Sequence, residues 1–166
     1  QSHELIRKAI ILAKEAGAKV ILDLASYNVV EENRDFLLEI IPKYADIVFA
    51  NEEEARSLLG TEPEEAVSIL AKSTDIAIVK MGAKGSWIQR GEEKALVPAY
   101  SVNCIDTTGA GDLYAAGFIY GLINGRSLAV SGKIGTTLAA HVIQYIGAKV
   151  HDDDWSEIFD NIEELK

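Results

Sequence analysis

Apolar residues set the rhythm of this chain. Leu5, Ile6, Ala9, Ile10, Ala13 and Ala16 recur at the spacing of one helix face, and Gly17 stands where a left-handed cap would end that helix. Residues 19–24 are short and almost wholly apolar, which predicts a strand buried on both faces. Residues 35–41 read as a helix stopped by Pro42, and residues 46–50 as a second buried strand. Asn51 is placed to cap a helix over Glu52–Leu59, with Gly60 ending it. Pro63 suits the first turn of another helix reaching about residue 72, and residues 75–81 predict a third strand. Strands alternating with helices imply a parallel sheet covered by helices.

The texture changes after Met81. Turns at Gly82–Gly85 and at Gly91-Glu92 separate β-like runs over Ser86–Arg90 and residues 95–102, which predict antiparallel strands extending the sheet at an edge. Two helices follow, over residues 112–124 and 128–145, divided by Gly125. Gly117 and Gly121 suit close helix packing, His141 a local helix partner, and Cys104 a small buried hydrophobe. A last helix puts Trp155, Ile158, Phe159, Ile162 and Leu165 on one stripe. Asp152, Asp153 and Asp154 precede it and are read as first-turn acids that satisfy free amides and offset the helix dipole, rather than as a metal site.

The stretch richest in chemistry is Asp106-Thr107-Thr108-Gly109-Ala110-Gly111-Asp112. A strand leads in and an apolar helix leads out. Glycines let the backbone approach a ligand closely, and the amides of Gly109, Ala110, Gly111 and Asp112 would form an anion site at the helix start. Asp112 at its rim could take a proton from an attacking hydroxyl. The bland alternative is a glycine-rich turn with a first-turn acid. No Lys-Ser or Lys-Thr follows, so this is not a Walker A loop, and Gly117 is misplaced for the dinucleotide fingerprint.

These residues, continued by Leu113-Tyr114-Ala115-Ala116-Gly117-Phe118, resemble the C-terminal signature of the ribokinase/PfkB family of sugar and nucleoside kinases. Asn51-Glu52-Glu53-Glu54 is similar to that family's Asn-x-x-Glu motif, Lys80-Met81-Gly82-Ala83-Lys84-Gly85 to its nucleotide loop, and Gly147-Ala148 to the glycine closing the nucleotide pocket. The run Phe49–Ala55 and Leu113-Tyr114 look closest to the adenosine-kinase-like branch. The resemblance implies a three-layer α/β/α sandwich, here its C-terminal portion over residues 1–166. It implies ATP-dependent phosphorylation of a primary hydroxyl on a sugar or nucleoside.

Roles carry over by position. Asp112 matches the catalytic base, and Gly109, Ala110 and Gly111 the anion hole. Lys80, Gly82, Gly85, Thr136 and Ala140 match nucleotide contacts, although Lys80 stands where the ribokinase branch often has Thr. Asn51 and Glu54 match the pair holding Mg²⁺ through water. Asp106, with Thr108 and Gly147, matches a monovalent-cation loop, a potassium site in many members. Each position also has a plain reading: Asn51 as a helix cap, Glu52 to Glu54 as a solvated acidic turn, Gly82 and Gly85 as hairpin shapers. The family is longer at its N-terminal end, so the first strands, the lid and most acceptor-binding residues are expected to be missing. The piece alone is expected to be a poor or inactive kinase, with a hydrophobic sheet edge open to self-association or to the absent half. The alternatives are a catalytically silent nucleotide-binding module, a fragment needing a partner segment, or a metabolic regulator.

Composition narrows the partners. The 166 residues carry a formal charge of −10, and the pI is near 4.7. That argues against unaided binding to nucleic acid or an anionic membrane. No apolar run approaches the roughly 18 residues of a membrane-spanning helix. The polar opening Gln1-Ser2-His3-Glu4 does not look like a signal peptide, and the missing initial Met leads one to expect an upstream segment that was removed or is not shown. A single cysteine fits a reducing cytoplasm.

Overall fold

A computed structural model describes residues Ser2 to Leu165; Gln1, which opens the polar start, and Lys166 lie outside it. The chain divides into two compact units. The first holds the residues up to Met81 together with Trp87–Lys94, and the second Gly82–Ser86 with the residues from Ala95 onward.

The first unit runs α1 (Ser2–Glu15), β1 (Ile21–Asp23), α2 (Tyr27–Glu32), α3 (Arg34–Tyr44), β2 (Ile47–Asn51), α4 (Glu52–Leu59), α5 (Pro63–Leu70) and β3 (Ile76–Lys80). β2 pairs in parallel with β1, setting Asp23 opposite Phe49, and with β3, setting Asn51 opposite Lys80. Val48, Ala50, Ala77 and Val79 of the two central strands join Ala55 and Leu58 of α4 and Ala66 and Val67 of α5 in one core. Beyond β3 the sheet continues through β4 (Ser86–Arg90) and β5 (Glu93–Val97), in the order β1-β2-β3-β4-β5. Gly91 and Glu92 alone join β4 to β5, so these two run antiparallel and the sheet is mixed. The second unit holds α6 (Ala110–Ile123), α7 (Leu128–Val142) and α8 (Trp155–Glu164).

Several expectations hold to the residue. α4 spans Glu52–Leu59, Asn51 caps it, and Gly60 ends it with φ +73°. Pro63 opens α5 at the first helical position, where its missing N–H is no loss. Others change. β1 is short and half-open rather than buried on both faces: it lies at the edge of the sheet, and Ile21 is 39% exposed. Pro42 does not stop α3 but sits inside its last turn; the helix continues to Tyr44, and the Ala45 amide still closes on the Ile41 carbonyl. α2 was not expected. It is a six-residue helix whose Ser26 hydroxyl accepts from the Val29 amide. The run expected over 95–102 ends at Val97, because Pro98 has no N–H to donate to a ladder. α7 stops at Val142 and closes through tight turns at Gln144 and Tyr145. Asp152 to Asp154 form a 3₁₀ turn. Asp154 stands at the start of α8 but makes no cap bond; it accepts instead from the Tyr145 hydroxyl at 3.4 Å. Cys104 is exposed, not buried.

Packing in the second unit depends on missing side chains. A methyl group on Gly117 would lie 2.8 Å from the Ile134 carbonyl oxygen, and one on Gly121 2.8 Å from Ser131, so α6 and α7 pack backbone to backbone. Ile134, Leu138 and Val142 of α7 then close over Ile158 and Ile162 of α8. Trp155 and Phe159, expected on the same stripe, stay partly exposed.

Candidate active site

Each unit contributes one group of the residues singled out by sequence. In the first unit, Asn51, Lys80 and Asp23 stand at the carboxyl ends of adjacent parallel strands, the end where α/β sheets bind ligands. Asn51 and Glu54 form a reciprocal capping box. The Asn51 side-chain Oδ1 accepts from the Glu54 amide, and the Glu54 carboxylate accepts from the Asn51 backbone amide and from its side-chain Nδ2, all at 2.7–2.8 Å. Glu54 is only 2% exposed, unlike its exposed neighbour Glu53. Burial pushes its carboxyl above the usual range, opposed by the Asn51 amide and the Lys80 charge. The acidic first turn is therefore not uniform: Glu54 alone is drawn in. Lys80 donates to Asp23 at 3.0 Å, with its ammonium 5.9 Å from the centre of the Phe49 ring. Sequence reasoning missed Asp23, because its partner lies 57 positions away.

Can this pair serve a divalent ion? Glu54 is one carboxylate, and no group of three or more acidic, His or Cys side chains suited to a metal occurs among the described residues. A single buried carboxylate beside an amide fits an ion that keeps most of its waters, which is the habit of Mg²⁺.

The second unit holds the two glycine segments and the α7 positions. Gly82–Lys84 make a 3₁₀ turn, and the Gly85 amide closes on the Gly82 carbonyl. Gly82 is open, with nothing near its absent side chain. Gly85, at φ +93°, lies against the backbone of Val97 and Pro98, so its role is at least partly to shape the chain. At the other segment Asp106 works as a clasp. One carboxylate oxygen accepts from the Thr108 amide and hydroxyl, and the other from the Gly147 amide at 2.8 Å. These bonds, the Gly147 amide foremost, hold the carboxyl below its usual range. The expected trio of Asp106, Thr108 and Gly147 is thus joined directly, across 41 positions.

Gly109 follows in the left-handed region at φ +77° and caps α6 with no side chain. A methyl group there would come within 2.7 Å of the Ala148 side chain. The expected anion hole needs one revision. The Ala110 amide is not free, because it closes on the Thr107 carbonyl at 3.1 Å. The first bond within the helix runs from Leu113 to Gly109, which leaves the amides of Gly111 and Asp112 with no acceptor in the helix. Asp112 is exposed beside them. Thr136 and Ala140 lie on α7 and are 6% and 7% exposed. Two open cavities, of about 530 Å³ beside Lys14 and Asp75 and about 580 Å³ beside His3 and Phe36, take in none of these residues.

The second unit thus holds a helix start whose Gly111 and Asp112 amides lack a helical acceptor, an exposed aspartate and a glycine turn. Residues 2–154 match the pattern of the pfkB family of carbohydrate kinases. The chain belongs to that family. Among pfkB relatives, a 5-dehydro-2-deoxygluconokinase of Bacillus velezensis is 30% identical over 151 residues, covering 86% of this chain and 46% of its own length. The structure of a probable sugar kinase from Rhizobium etli CFN 42 superposes with a TM-score of 0.88 at 36% identity, over 98% of this chain and 50% of that one. An adenosine kinase from Sinorhizobium meliloti matches at 39% identity and a TM-score of 0.81, over 87% and 45%. The fold is ribokinase-like, a mixed five-stranded sheet flanked by helices. The chain spans about half the length of the pfkB relatives it matches. No helix among the described residues is long and apolar enough to cross a membrane.

Proposed function

We propose that this chain is the nucleotide- and phosphoryl-handling C-terminal part of an ATP-dependent kinase acting on a primary hydroxyl of a sugar or nucleoside. The observation that carries the reading is the start of α6, where Gly109 turns the chain and leaves the Gly111 and Asp112 amides without a helical acceptor beside the exposed Asp112 carboxylate. Asp112 accepts the acceptor hydroxyl's proton as its oxygen attacks the γ-phosphorus in line. General-base help of this kind is typically worth ~10²–10⁴-fold. The two amides hold the charge that gathers on the transferred group, and aimed donors in a dry site contribute several kcal/mol. Ala110 shapes the turn rather than donating to the anion. Gly82 and Gly85 shape the nucleotide loop, and Thr136 and Ala140 supply a small, buried wall for the base. Glu54 and Asn51 would hold Mg²⁺ through water, which would supply charge neutralisation at the phosphates. Asp106 clasps Thr108 to Gly147.

Acceptor choice and water exclusion need groups that this half does not supply, so the 166-residue chain alone binds ATP but turns over little or none. The test is a coupled ADP-release assay across sugars and nucleosides, on a full-length pfkB protein carrying this sequence. Asp112→Asn should lose at least a hundredfold in turnover while keeping ATP affinity. An Asp112→Asn protein with ordinary turnover would remove Asp112 from the chemistry. ATP binding without turnover in the unmodified protein would mark a silent nucleotide-binding module.

A further inference from the structure

The two glycine segments of the second unit are tied by one buried hydrogen bond that neither motif requires. Ser86 directly follows Gly85, and Tyr114 stands two residues after Asp112 on α6. Their hydroxyls lie 2.7 Å apart, across 28 positions of sequence. Both residues are buried, Ser86 completely. Tyr114 is held on its other side as well: a methyl group on Gly135 of α7 would come within 2.7 Å of the Tyr114 carbonyl and 3.2 Å of its ring. The ring is therefore seated by α7, while the hydroxyl meets Ser86. Phenylalanine would fill the same space. Burial pushes the Tyr114 phenol up to about 12, so it stays protonated and can keep this bond at any physiological pH.

We infer that the Tyr114–Ser86 hydrogen bond is a positioning link that sets the Gly82–Gly85 turn against the first turn of α6, so that both segments meet one nucleoside triphosphate. Neither side chain touches the nucleotide; each acts through the backbone next to it. The inference rests on the nucleotide-binding reading of this unit.

The test uses Tyr114→Phe, Ser86→Ala and the double variant in the 166-residue chain. Each single change strands a buried hydroxyl and should lower the melting temperature. The double change removes both hydroxyls and should recover most of that loss, since replacing both partners of a buried bond is nearly neutral. Affinity for Mg-ATP, read by titration calorimetry, separates packing from positioning. All three variants should bind roughly fivefold more weakly or worse, the double included, as expected for a bond worth about 1 kcal/mol. Amide exchange at 82–86 and 110–114 should speed up in the double variant of the nucleotide-free protein, with α7 unchanged. A double variant that is as stable as wild type, binds Mg-ATP equally well and exchanges equally slowly overturns the link and leaves the kinase reading standing. A wild-type chain that fails to bind Mg-ATP overturns that reading, and the link's purpose with it.

Discussion

Replacing Gly109 by alanine tests the most exacting point in the turn that opens α6. Two separate penalties are built into that position. The backbone sits at φ +77°, where an L side chain costs roughly 1–2 kcal/mol. The added methyl would also lie 2.7 Å from the Ala148 Cβ and 2.9 Å from its Cα, and relieving such an overlap costs about 1–3 kcal/mol. Gly125, at the far end of the same helix, isolates the first penalty, since its φ is +72° and nothing lies within 4 Å of its absent side chain. At about 2–4 °C per kcal/mol for a chain of this size, Gly109→Ala should lower the melting temperature by about 4–20 °C and Gly125→Ala by about 2–8 °C. Thermal melts followed by circular dichroism, with urea titrations of the same proteins, give the comparison. Equal losses in the two variants would refute the close packing of residues 109 and 148 and leave only the backbone term.

Two further outcomes follow from the first unit. Asn51→Ala removes a helix cap, worth ~1 kcal/mol, and strips a donor from the nearly buried Glu54, worth a further ~1–3 kcal/mol. Asn51→Ser can still cap and should lose less, so a urea midpoint for Ser as low as that for Ala would disprove the capping role. Asp46 is buried, which would raise its carboxyl, yet the Val20 amide, Lys14 and Lys19 hold it down at about 2 against an ordinary 3.8. A carboxyl depressed in the fold contributes fully above its unfolded value and loses that contribution as pH falls through the folded one. Wild type should therefore lose stability between about pH 4 and pH 2 more steeply than Asp46→Asn. Parallel stability profiles for the two proteins over that window would refute it.

What the sequence made legible was local. Both caps of α4, the proline opening α5 and the glycine-lined helix contact are encoded within a few residues of where they act. The loop from Asp106 to Asp112 carries its own glycines, so its general form was readable, although the tie between the Ala110 amide and Thr107 was not. The failures are distant or contextual. An apolar run does not by itself say how much of it is covered, as the 39% exposed Ile21 of β1 shows. Pro42 breaks a helix on average, but in a last turn only one bond is lost. The Lys80–Asp23 and Ser86–Tyr114 pairs join residues with no shared local pattern, and only the fold brings them together.

The backbone contact of α6 with α7 has a mechanical consequence. Gly117 and Gly121 are two notches one helical turn apart, each filled by the facing helix at Ile134 and Ser131. Slipping α6 by one residue would drive Phe118 or Ala116 into space that admits only a hydrogen atom. The pair is indexed like a gear with missing teeth, able to rock slightly but not to translate. The amides at the head of α6 therefore inherit their address from the middle of the helix, two to three turns away from the turn that presents them.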